Sequence, residues 1–137
     1  VFRRRRLPEH LEARRRAFQD LVPPLERAKA ALTEAVPGTR LPGRPLAEAL
    51  LEFEEGLRTV GEGMAAWRAP ELEDAWRRAR DGLDEAMARA ERVRTGGTDP
   101  GTFEGLIGLV GDLLAPLEAF PEAATRLRDL RRAADAP

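Results

Sequence analysis

Apolar residues in the middle of the chain fall at alternating steps of four and three: Leu46, Leu50, Phe53, Leu57, Val60, Met64 and Trp67. That stepping keeps all seven on one stripe of an α-helix. The next segment repeats it with Leu72, Trp76, Ala79, Leu83, Ala86, Ala90 and Val93. Only Arg68, Ala69 and Pro70 separate the two seams. Pro70, with Glu71 and Glu73 behind it, suits a helix's opening turn, where a missing N–H costs nothing and carboxylates meet the positive end of the dipole. The pair predicts an antiparallel helical hairpin, each arm roughly 32 Å long at about 1.5 Å per residue.

Upstream, one register holds Leu7, Leu11, Arg14, Phe18, Leu21, Leu25, Ala28, Leu32 and Ala35, with Arg14 as its single charged member. Pro23 and Pro24 fall inside it without shifting the phase, which predicts one kinked helix rather than two. Arg14, in core register, calls for a carboxylate partner. Residues 37–45, rich in Pro and Gly, read as a linker packed through Leu41, with Pro45 opening the second helix. Downstream, the third helix ends at Thr95, Gly96, Gly97 and Thr98, and Asp99 and Pro100 are the expected cap and first residue of a fourth. Phe103, Leu106, Val110, Leu113, Leu117, Phe120, Ala124 and Leu127 continue the stepping, and Pro116 and Pro121 kink that helix or split off a terminal one.

Four amphipathic segments with short connections predict an all-α fold, an antiparallel, up-down-up-down four-helix bundle with Pro-kinked first and last helices. A chain of 137 residues is expected to form one domain, residues 1–137, with residues 1–6 a basic flexible terminus. Ala, Leu, Glu and Arg dominate, all strong helix formers. Lys29 is the only lysine among 23 basic residues, a bias that a high-GC bacterial genome produces as readily as selection does.

The absent residue types narrow the chemistry more. The sequence has no Cys, Ser, Asn or Tyr, and His10 is its one histidine. Disulfides, thiolate nucleophiles, Cys-ligated zinc and Ser-His-Asp triads are excluded. Di-iron bundles draw on Glu-x-x-His motifs, and none is present. No cofactor or metal is expected, and a cytoplasmic location is the simplest expectation, since no apolar run approaches the length of a transmembrane span.

Carboxylate pairs such as Glu54 with Glu55, or Glu71 with Glu73 and Asp74, resemble acid–base or metal sites in composition alone. Glu54 precedes Arg58 by four residues, as Glu73 does Arg77, Asp74 does Arg78 and Glu85 does Arg89, the order of favourable surface pairs. With no convergent catalytic set, a non-enzymatic protein is expected.

Two features point to partners. Arg3, Arg4, Arg5, Arg6, Arg14, Arg15 and Arg16 concentrate positive charge near the start, against Glu9 and Glu12, and would suit nucleic acid or an anionic membrane surface. Against that stands a net charge of −1 over the chain. Gly105, Gly108 and Gly111 lie opposite the apolar stripe of the fourth helix at a cost of about 1 kcal/mol each relative to Ala. A smooth face there would let another backbone approach closely, so it is the expected interface. The functional expectation is a helical interaction or self-association module, with anion binding through the Arg-rich terminus as the alternative.

Overall fold

The computed structural model describes residues 8–38 and 42–135. Arg3, Arg4, Arg5, Arg6, Leu7 and Leu41 lie outside the described residues, and with them the basic terminus and the linker anchor. The fold is all-α, with helices α1 (Glu9–Thr33), α2 (Leu46–Glu62), α3 (Glu73–Gly96), α4 (Phe103–Leu114) and α5 (Ala119–Asp135), and no strand among the described residues. These helices form a bundle around one contiguous apolar core fed by all five.

The heptad seams mark most of that core. On α1, Leu11, Phe18, Leu21, Leu25, Ala28 and Leu32 are buried, and Ala35 joins them just beyond the helix. The helix runs unbroken across Pro23 and Pro24. Neither proline can donate, so the carbonyls of Gln19 and Asp20 lose their helical donors, and both residues sit on the solvent side.

The second seam changes its backbone part-way along. α2 ends at Glu62, and Met64–Trp67 is a 3-10 turn that carries the seam's last two residues inward. A second 3-10 turn, Pro70–Leu72, precedes α3, so Pro70 opens a tighter turn than the expected α-helix. Glu54 of α2 reaches Arg94 of α3, and Trp76 of α3 reaches back to Met64, so the two arms run in opposite directions. The Trp67 ring is fully buried and meets Phe18 edge-on, centroids 4.9 Å apart. Trp76 donates its indole N–H to the Met64 carbonyl at 2.7 Å, and the Arg68 guanidinium lies 4.1 Å from its ring centre.

At its far end α3 stops on Gly97, whose φ of +61° is the left-handed cap that an L side chain resists. The start of α4 differs from expectation. Thr102 is the cap, accepting the Gly105 N–H at 2.9 Å, while Asp99 instead accepts from Gly101 N–H in a local turn. A side-chain oxygen three residues before a free amide satisfies one of the orphan donors of the first turn, and Asp99 is too far upstream to do so.

Pro116 falls in a 3-10 turn, Ala115–Glu118, that separates α4 from α5. That turn fits tightly on α3, because a Cβ at Gly82 would collide with the Pro116 carbonyl. Beyond it Ala123, rather than Ala124, takes the buried position, and α5 stays helical to Asp135.

Candidate functional site

Helix α4 is the most apolar helix of the fold and among the least covered. Its twelve residues include only two charges, Glu104 and Asp112, yet only Val110 and Leu113 are buried. Phe103 is 53% exposed and Ile107 46% exposed, one turn apart on the same stripe. Leu114 continues that stripe two turns on and is half-buried. Phe103 was expected in the core; instead α3, α1 and the following 3-10 turn cover α4 only in part, and Phe103 stands exposed.

The three glycines of this helix separate into two kinds. A Cβ at Gly105 would press into the Pro100 carbonyl and stand 3.1 Å from Thr102 Oγ1, so Gly105 serves the tight entry into α4 rather than an open face. Nothing lies within 4 Å of a Cβ at Gly108 or Gly111. Both are exposed, and Gly111 borders the uncovered stripe one turn from Ile107. The result is an uneven surface, with bulky side chains toward the N-terminal end of α4 and bare backbone toward the C-terminal end.

Leu51 on α2 is by contrast a single exposed apolar residue of the kind every folded surface carries. On α4 the exposed groups are contiguous.

The arginines of α1 do not form one patch. Arg14 donates from Nε to the Arg68 carbonyl at 3.0 Å, so the expected carboxylate partner is replaced by a backbone oxygen at the hairpin turn. That exchange follows from Arg14's place beside the 3-10 turn, whose last carbonyls have no helical donor. Arg15 pairs with Glu12 through both Nε and Nη2, and Arg16 approaches the same carboxylate at 4.0 Å. The hydrogen bond from Arg15, with added attraction from Arg131 and Arg16, holds the Glu12 carboxyl below its ordinary value.

The acidic residues are more fully partnered than their local spacing predicts. Glu54, expected to pair with Arg58 at the surface, is buried at 5% exposure and takes a two-pronged bond from Arg94, at 2.6 Å from Nε and 3.2 Å from Nη2. Arg44 serves Glu34, Glu48 and Glu52. Glu73 joins Arg68 and Arg77, and Glu85 joins Arg89. Arg78 contacts Glu122 on α5 rather than Asp74.

His10 meets Glu71 at 3.1 Å on the surface. Glu71 is held below its ordinary value first by its own backbone amide and then by His10. Among the described residues, no three or more His, Asp or Glu side chains are placed to hold a metal ion. No described helix is long and apolar enough to cross a membrane.

The three glycines expected to form one smooth face thus differ, with Gly108 and Gly111 in open space and Gly105 packed on the Pro100 carbonyl. Phe103 and Ile107 were legible as surface groups only through what surrounds them. The polar side of a bundle helix normally carries charge, and here it carries glycine. No family model, curated protein or solved structure matches the chain.

Proposed function

We propose that the protein is a helical interaction module that self-associates, with α4 of one copy lying antiparallel against α4 of a second. The observation that carries this reading is the contiguous uncovered stripe of Phe103 and Ile107 beside open backbone at Gly108 and Gly111.

A two-fold contact must be self-complementary, because each residue meets the counterpart its partner presents. Large groups at one end of a helix and bare backbone at the other meet that requirement only when the two copies run oppositely. Phe103 of one copy then falls over Gly111 of the other, and the two Ile107 side chains meet at the two-fold axis. A parallel pairing would set Phe103 against Phe103 and bare backbone against bare backbone.

The size of the face sets the strength. Twelve residues span about 18 Å, which is short for a surface contributing the roughly 800 Å² per partner of a standard stable interface. The association is accordingly weak and reversible, with a population that follows concentration.

Sedimentation velocity over a range of protein concentrations tests the proposal. The wild-type chain is expected to shift from monomer to dimer, and Ile107→Lys, which places a charge on the stripe without touching the core, is expected to remain monomeric. A wild-type chain that stays monomeric throughout, or a dimer that Ile107→Lys leaves unchanged, would overturn it.

A further inference from the structure

A second apolar surface lies between α1 and α5, apart from α4. Phe18, Val22 and Leu25 on α1 face Phe120, Pro121 and Ala124 on α5 across a groove of about 170 Å³. The stacked rings of Phe18 and Phe120, 6.4 Å apart, lie in the groove, and Val22, 39% exposed, stands at its mouth. An enclosed apolar cavity of about 150 Å³ admits one benzene ring. The groove therefore holds about six carbon atoms, with its open side free for the rest of a longer chain.

Charge is distributed unevenly around it. Phe18 lies beside Phe120 while Glu12 lies near Arg131, so α1 and α5 run in opposite directions along this seam. Arg15 and Arg16 precede Phe18 by about a turn on α1, and Arg128 and Arg131 follow Ala124 by one and two turns on α5. All four guanidinium groups thus belong to the same end of the groove, against the carboxylates of Glu12 on α1 and Asp129 on α5. The opposite end carries Lys29 and Glu26, which pair with each other at 3.6 Å. One end is balanced and the other has a surplus of positive charge.

An apolar slot with such a surplus about a turn beyond one end matches a ligand with an acyl chain and one anionic head. We infer that the α1–α5 groove binds a fatty carboxylate, its chain between Val22 and Ala124 and its head among Arg15, Arg16, Arg128 and Arg131. The Arg15–Glu12 pair does not need to break, because a guanidinium carries five donors and Arg15 directs only Nε and Nη2 at Glu12, while Arg128 directs only Nη2 at Thr125 Oγ1.

The test is calorimetric titration of the full chain with decanoate, using decanol and propionate as the headless and tailless probes. Decanoate is expected to bind saturably at one site, decanol about tenfold or more weakly, and propionate without measurable heat. Val22→Asp and the double variant Arg128→Glu with Arg131→Glu are each expected to weaken decanoate about tenfold or more. Circular dichroism should show both variants folded, since all three positions are solvent-exposed. Ile107→Lys on α4 is expected to bind decanoate as wild type does, which separates this site from the self-association face. Absence of saturable binding, equal affinity for decanol and decanoate, or binding lost with Ile107→Lys but retained by the α1 and α5 variants would each overturn the inference.

Discussion

Replacing Arg94 by Ala leaves the Glu54 carboxylate, 5% exposed, without the guanidinium that satisfies both of its oxygens. Breaking a buried ion pair on one side costs about 3–5 kcal/mol, mostly because the remaining charge stays out of water. Arg94 itself is 32% exposed, so its removal opens a path for water to Glu54, and the lower end, about 3 kcal/mol, applies. On a domain whose whole stability is about 5–15 kcal/mol, that is a large loss. It corresponds to a fall in Tm on the order of 10 °C for a chain of this size. The local alternative, a surface pair of Glu54 with Arg58, would contribute about 0.2–0.5 kcal/mol.

Thermal and urea denaturation of Arg94→Ala, Arg58→Ala and Glu54→Leu with Arg94→Met separate the two. Arg94→Ala is expected to lower stability by about 3 kcal/mol and Arg58→Ala by less than about 0.5 kcal/mol. The double apolar replacement should recover most or all of the loss, because it removes both desolvated charges together. Comparable effects of Arg58→Ala and Arg94→Ala would refute the reasoning.

The glycines of α4 should respond with opposite signs. Gly108→Ala and Gly111→Ala enter open space and should each stabilise the monomer by up to about 1 kcal/mol in chemical denaturation, while Gly105→Ala, driven against the Pro100 carbonyl, should destabilise by about 1–3 kcal/mol; a uniform sign across the three would contradict the packing described. Gly82→Ala is expected to destabilise in the same assay by forcing α3 away from the Pro116 carbonyl, and a neutral result would place that turn elsewhere. Glu12, Glu71 and Glu73 have carboxyls held below their ordinary value of 4.5, Glu12 by Arg15, Glu71 by its own amide and His10, and Glu73 by Arg68. A lowered folded-state value means that the stability these groups contribute is complete above the ordinary carboxylate range and is lost as pH falls through the lowered values. Urea midpoints measured downward from pH 5 should therefore fall, and Glu73→Gln should flatten that dependence; an unchanged slope would show that the pairs do not persist in solution.

How much of this was visible in the sequence follows from the range of each interaction. The seams of α1, α2 and α3 marked their buried residues because burial repeats with the helix itself, and the pattern survives even Pro23 and Pro24. Glu54 was misread because its true partner lies 40 residues away, across the hairpin, while a plausible arginine sits four residues ahead. The fold about Pro70 offered the needed signal, since it brings the start of α2 beside the end of α3. Arg14, expected in core register, is only partly buried, and its partner is a backbone oxygen, which composition cannot reveal.

On α4 the stepping from Phe103 to Leu113 described an apolar stripe without saying how much of it a neighbour covers. The shortage of charge on its other side was the available hint. Gly105, grouped by spacing with Gly108 and Gly111, belongs with the Thr102 cap, and a Thr three residues before a Gly at a helix start was the local sign of it. The α1–α5 groove needed the fold, because no spacing within either helix shows which residues face each other.

Self-association through α4 is tested most directly by a single introduced thiol. The natural sequence has no cysteine, so a disulfide formed by Ile107→Cys can only join two copies. Helices packed at about 8–10 Å between axes bring facing Cα atoms within the roughly 7 Å that a disulfide spans. Leu51→Cys, at a somewhat more exposed apolar position on α2, is the control. Under mild oxidation, Ile107→Cys is expected to yield covalent dimer much faster than Leu51→Cys, and equal rates from the two positions would contradict the pairing of α4 with α4.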